Sequence, residues 1–151
     1  MIDVNQVARR LHEDEGFVPH AYEDTEGYLT IGDGILIDKR RGGGITAEES
    51  LYLLRNRIVQ RESLCRARFP WFARQDVVRQ QVIVCMSYQL GVNGVANFRR
   101  MVAAIERADF VDAAKEMLDS TWAKQTPARA KCMATMMERG EWIEPVTPIS
   151  S

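Results

Sequence analysis

The 151-residue sequence is poor in cysteine and histidine, and it has no long apolar run. Its three cysteines, Cys65, Cys85 and Cys132, are odd in number, widely spaced and outside any C-x-x-C pattern. They do not form a disulfide framework, and the expectation is reduced core thiols in a cytosolic product. Two histidines, His12 and His20, cannot complete a recognisable zinc site with such scattered cysteines, so neither a metal nor a cofactor is expected. No stretch approaches 18 consecutive apolar residues, so no membrane-inserting helix is expected. Residues 1–16 carry acids and no apolar run ahead of their first charges, which does not fit a secretory signal. A net charge of −1, with no helix-turn-helix, zinc-finger or RNA-motif pattern, argues against a nucleic-acid partner.

The composition is ordinary for a globular chain, 46% apolar and 27% charged, and the length fits one domain with a sizeable core. The charge is unevenly placed. Residues 1–51 hold 11 acids and 5 bases, residues 52–107 hold 3 acids and 10 bases, and the remainder 7 acids and 5 bases. The basic middle reads either as solvated helix faces or as a positive surface that steers toward anionic polymers.

Residues 3–14 space Val4, Val7, Ala8 and Leu11 as one face of a short helix, which Gly16 can end. Over residues 20–45, strand formers (Tyr22, Tyr28, Leu29, Ile31, Ile35, Ile37) are punctuated by glycines, so residues 16–45 read as a small lobe with a twisted antiparallel sheet. Thr46 and Glu49 have capping-box spacing and open a linking helix over 46–66, with Leu51, Leu54, Ile58 and Leu64 expected on its inner face. Pro70 breaks the pattern. Residues 67–143 then read as a helical lobe. One helix starts near Asp76, is apolar all round at Val82–Met86, and has Gly91 as its expected end. A short helix follows from Phe98 to Glu106, another is capped by Asp109, and a last one enters at Thr126-Pro127 and closes at Gly140. Residues 144–151 are expected to fray. Helices and strands are segregated, so the fold class is α+β, mainly helical and two-lobed, with a ligand cleft expected between the lobes.

Glu15 stands at the end of the first helix and Asp24 nine residues later in a hairpin, with Thr30 on the next strand. A helix-end carboxyl and a hairpin carboxylate facing one another is the arrangement glycosidic cleavage requires. The spacing alone leaves solvated surface acids as the competing reading, since eleven acids crowd this region.

The string Asp14-Glu15-Gly16, followed by Tyr22-x-Asp24-Thr25-x-Gly27-Tyr28-x-Thr30-Ile31-Gly32-x-Gly34, resembles the signature of the T-even phage lysozymes, the glycoside hydrolase family 24 endolysins. Three later strings continue the resemblance in order: Ile45-Thr46-x-x-Glu49, Gln89-Leu90-Gly91-Val92-x-Gly94-Val95-Ala96-x-Phe98, and Trp122-x-x-Gln125-Thr126-Pro127-x-Arg129-Ala130 with Gly140-x-Trp142. The resemblance implies a lysozyme-like fold and a muramidase that cuts the β-1,4 bond between N-acetylmuramic acid and N-acetylglucosamine in peptidoglycan by an inverting route. It implies Glu15 as general acid, Asp24 as the carboxylate that stabilises the oxocarbenium-like transition state and guides water, and Thr30 as a holder of that water. It also implies Leu36 and Tyr88 as substrate contacts and Arg129 as a supporting charge near Glu15.

The sequence departs from the family in places. Ile35 stands where a histidine is common, so a histidine ion pair of the relatives is not expected, and Asp33 replaces an apolar residue and is expected to face solvent. Met101 and Glu116 occupy two further cleft positions without matching, and no role carries over to them. The short segment Asp38–Gly44 suggests a reduced small lobe and a more open cleft. The missing signal suggests accumulation in the host cytoplasm with release through a holin-like pore, a virion-associated lysozyme domain being the alternative, and a monomer is expected. A lytic transglycosylase on the same bond, or an inactive wall-binding virion module, are the competing functions.

Overall fold

A computed structural model describes residues 3–145, and the expected frayed tail falls largely outside them. The chain divides into two compact units, residues 1–52 and 53–151. The α+β class is borne out.

The first unit opens with helix α1, Val4–Glu15, whose N-cap Asp3 accepts a hydrogen bond from the Gln6 N–H at 3.0 Å. Gly16 follows at φ 73° and ends the helix. A three-stranded antiparallel sheet comes next, in the order β1 (Val18–Glu23), β2 (Leu29–Gly32), β3 (Ile35–Leu36). Tyr22 pairs with Thr30, and Thr30 with Leu36, so Thr30 lies at the centre of a three-residue row. A bulge between Val18 and Tyr22 interrupts the first ladder. Among the described residues of this unit only Thr30 is buried, so hydrogen bonds and turn chemistry carry much of its order. Arg40 stacks on the Tyr28 ring at 3.1 Å and is paired with Asp38 at 2.8 Å. Gly43 is required for space: a Cβ there would lie 2.2 Å from the Asp38 carbonyl oxygen.

Helix α2, Ala47–Arg68, starts at the expected capping box. The Thr46 N–H donates to Glu49 Oε2 at 2.7 Å, and the Glu49 N–H donates to Thr46 Oγ1 at 3.1 Å. Its inner face differs from expectation. Leu51 and Leu54 are half-buried, but Ile58 and Leu64 are exposed and the one buried residue is Cys65. Apolar residues surround this helix, so spacing alone did not identify the packed side.

The second unit holds the core. Helix α3 (Val77–Ala96) runs through it, with α4 (Arg99–Glu106), α5 (Phe110–Leu118), α6 (Thr121–Gln125) and α7 (Pro127–Arg139) packed around. Val82, Ile83 and Met86 of α3 are fully buried, as the all-apolar stretch predicted. Five buried methionines (Met86, Met101, Met117, Met136, Met137) fill the irregular space between short helices, a task suited to an unbranched side chain. Asp76 and Asp109 cap α3 and α5 as expected. Gly91, expected to end α3, instead sits at a kink (φ 76°, ψ 161°), after which the helix resumes to Ala96. The five-residue α6, capped by Ser120, was not anticipated. Thr126 precedes α7 without a side-chain cap, its hydroxyl donating instead to the Trp122 carbonyl at 3.0 Å. The three cysteines are free: Cys65 is buried, Cys85 and Cys132 half-buried. No helix of the described residues is long and apolar enough to cross a membrane.

Candidate active site

In the first unit, the end of α1 is fastened to the β2–β3 turn at two adjacent points. His12 Nδ1 and Asp33 Oδ1 are 2.6 Å apart. Asp33 is exposed, as the sequence leads one to expect, and is in addition held by His12. The missing histidine at Ile35 does not leave this segment without a histidine–carboxylate pair either, because His12 supplies one from the helix. One helical turn on, Glu15 lies against Gly34. A Cβ on Gly34 would sit 2.7 Å from Glu15 Oε2 and 2.9 Å from its Cδ, so the carboxyl occupies space that any side chain would take. Gly34 also has φ +75°. Residues 12 and 15 share a helix face by their i, i+3 spacing, and residues 33 and 34 are neighbours, so the two contacts hold together.

Asp24 follows β1 in a tight turn. Its Oδ1 accepts from the Glu26 N–H at 2.9 Å and the Tyr28 N–H at 2.8 Å. The turn is closed by backbone bonds from the Asp24 N–H to the Tyr28 carbonyl (2.8 Å) and from the Gly27 N–H to the Asp24 carbonyl (2.9 Å). Two amide donors fix the direction of this carboxylate. Both end on one oxygen, so Oδ2 keeps its lone pairs for another donor. Thr30 is 4% exposed, and its hydroxyl donates to the Tyr28 carbonyl at 3.0 Å, which leaves oxygen lone pairs to accept from a third group. Leu36 is half-buried beside it across the β2–β3 ladder. Glu15, Asp24, Thr30 and Leu36 thus belong to one unit of helix, turn and sheet.

Tyr88 and Arg129 lie in the second unit, where they line a cavity of about 780 Å³ with Cys85, Gln89, Met133 and Trp142. Burial pushes the Cys85 thiol above its ordinary range, against a smaller downward pull from the Arg129 charge. Tyr88 is 45% exposed and offers both a ring face and a hydroxyl. Met101 and Glu116, to which the resemblance assigned no role, come together on another cavity of about 580 Å³ with Arg100, Trp122 and Gln125. Trp122 Nε1–H donates to Gln89 Oε1 at 2.9 Å. Sequence reasoning passed over this cavity because neither residue matched its expected type. The signal that could have found it was their correspondence in position.

Comparison with known proteins bears on this arrangement. The family model for phage lysozyme matches residues 12–141. "Probable T4-type lysozyme 1" of Dictyostelium discoideum is 31% identical over an alignment covering 91% of this chain and 96% of that protein. "Probable T4-type lysozyme 2" of the same organism is 26% identical over 91% of this chain. The "Pre-baseplate central spike protein Gp5" of Enterobacteria phage T4 is 31% identical over 89% of this chain, in an alignment that spans 28% of the spike protein.

Proposed function

This chain belongs to the phage lysozyme family, and from that premise we propose that it hydrolyses the β-1,4 bond between N-acetylmuramic acid and N-acetylglucosamine in bacterial peptidoglycan. The observation that carries the reading is the Glu15 carboxyl seated on Gly34, in the same unit as an Asp24 carboxylate held by two amides. Glu15 delivers a proton to the leaving glycosidic oxygen, and the electrons of the broken bond go to that oxygen. Asp24 faces the positive charge that develops at the anomeric carbon and orients the attacking water, to which Thr30 offers a hydroxyl. The water's oxygen bonds the anomeric carbon, and its proton passes to a carboxylate. Fixing Asp24 before substrate arrives avoids reorganising it during the reaction. Leu36, Tyr88 and Arg129 complete the reading as substrate contacts and support.

The test is Glu15→Gln with purified peptidoglycan as substrate. Release of reducing ends and loss of turbidity should cease while the circular dichroism spectrum stays that of the parent. Undiminished hydrolysis would sink the assignment. An inverting route places the carboxyls roughly 6.5–9.5 Å apart with water between them, and the anomer first formed, read by NMR, should be inverted. Anhydro-muramic ends in the products, seen by mass spectrometry, would reassign the reaction to a lytic transglycosylase.

The alignment with a central spike protein, of which the matched segment is under a third, supports a virion-associated role as a second reading beside a free endolysin. Mass spectrometry of purified virions separates the two, since a free endolysin is absent from washed particles.

A further inference from the structure

Between Leu53 and Arg74 the chain carries six arginines and one carboxylate, Glu62. Glu62 is already paired with Arg66 at 2.7 Å. Arg55, Arg57, Arg61 and Arg68 have no carboxylate partner among the described residues. Within α2, the spacing i, i+4, i+7, i+11, i+15 puts Leu53, Arg57, Gln60, Leu64 and Arg68 on one strip, with Arg61 alongside. All five are exposed, Leu53 at 46% and Leu64 at 48%. At 1.5 Å per residue the strip runs about 22 Å.

The combination selects a partner. A merely solvated face has no use for two half-exposed leucines, and a packed face would not hold unpaired guanidiniums. Leucines between arginines fit a surface that presents anionic phosphates above an apolar layer. The long arginine stems can then lie along that layer while the guanidiniums stay at the phosphates. We propose that this strip of α2 docks peripherally on an anionic phospholipid surface, the arginines on the lipid phosphates and Leu53 and Leu64 at the acyl boundary. Nucleic acid supplies the phosphates without the apolar layer. A second copy of the chain would have to bring a matching acidic and apolar face. The proposal is independent of the hydrolytic site, since none of these residues belongs to it.

The intact protein is floated with vesicles of equal parts phosphatidylglycerol and phosphatidylcholine, and with phosphatidylcholine alone. Binding is expected to the first and not the second. Arg57→Gln/Arg61→Gln/Arg68→Gln should weaken it at least tenfold, each arginine near such a surface being worth about fivefold. Leu53→Ser/Leu64→Ser should weaken it about fivefold or more at unchanged charge. Both variants should keep the parent's far-UV spectrum and its hydrolysis of soluble peptidoglycan fragments. No binding, or equal binding to neutral vesicles, overturns the proposal. Full binding by the leucine variant reduces the strip to a plain polyanion patch and overturns the lipid assignment. Self-association in sedimentation that the leucine variant abolishes, with no vesicle binding, reassigns the strip to a second copy.

Discussion

His12 Nδ1 meets Asp33 Oδ1 at 2.6 Å, and the residue after Asp33 is the glycine against which the Glu15 carboxyl rests. The contact therefore sits one helical turn from the proposed acid, on the same face of α1. Both partners are well exposed, 62% and 42%. Solvent screens such a pair, so its net contribution to stability is under about 1 kcal/mol. Its effect on position is larger than its effect on stability. Asp33→Asn is expected to shift Tm by little and to lower kcat several-fold with KM nearly unchanged. Thermal unfolding and initial rates on peptidoglycan check both halves.

Gly34→Ala should act more severely, for two separable reasons. The backbone at φ +75° costs a side chain about 1–2 kcal/mol, and the new Cβ would meet Glu15 Oε2 at 2.7 Å. Displacing a catalytic group by about 1 Å can cost on the order of a hundredfold in rate. Gly42→Ala is the control, because φ is +86° there with nothing within 4 Å of the added carbon. Both variants should lose similar stability, and only Gly34→Ala should lose activity. Equal activity loss in the two would place the defect in the backbone rather than at Glu15.

These contacts also mark how far the sequence could be read. Helix starts were legible wherever the signal is local: Thr46 with Glu49, Asp76 and Asp109 each bond an amide three residues on. The glycine-punctuated strands were legible for the same reason. What escaped depends on partners distant in sequence. Asp33 lies 21 residues from His12, and no pattern in either neighbourhood announces the other. The inner face of α2 escaped because its apolar residues point all round, so that Cys65 is buried and Leu64 exposed. Gly91 has the positive φ of a helix end, but the chain re-enters the helix after it, which packing decides and composition does not. The proposed site residues were named by likeness to a family, and only the fold could place Glu15 on Gly34.

Arg79 should be the most sensitive surface-facing residue of the second unit. Its guanidinium, 13% exposed, donates to Asp76 Oδ2 (2.7 Å), the Met137 carbonyl (2.7 Å) and the Glu138 carbonyl (2.8 Å), and lies 3.5 Å over the Phe110 ring. It thereby binds the start of α3 to the end of α7, satisfying carbonyls that a helix end leaves open. A lysine cannot reproduce that planar fork. Arg79→Lys is expected to cost about 2–3 kcal/mol in urea unfolding, while kcat on soluble fragments stays near the parent's.

Asp76 gives the acid limb of stability a specific origin. Partial burial would raise its carboxyl, but the hydrogen bonds and charge of Arg79 outweigh this and hold it below its ordinary value of 3.8. A depressed folded-state pKa means the folded protein binds that proton less readily than the unfolded chain. The stabilisation is therefore fully present above about pH 5 and is lost as pH falls through the folded pKa, below 3.8. Asp76→Asn keeps a capping oxygen for the Arg79 amide and removes the charge. Urea unfolding at a series of pH values should find the variant less stable at pH 7, with the two curves converging toward pH 2. Parallel curves across that range would remove Asp76 from the acid response.

The thiol of Cys85 should report on Arg129. Burial raises its pKa first, the Arg129 charge lowers it by less, and the nearby Cys132 adds a small upward push. The folded protein thus holds the thiol proton more tightly than the unfolded chain, so this contribution to stability is intact below about pH 8.5 and is lost as pH rises through the folded pKa. The thiolate attacks the methylene carbon of iodoacetamide and displaces iodide, so alkylation of Cys85 at pH 8 should be slower in the native protein than in urea. Arg129→Gln removes the one lowering influence and should move the pH profile of Cys85 alkylation upward, read by peptide mass spectrometry. An unchanged or lowered profile would separate Arg129 from this cavity and, with it, from Tyr88.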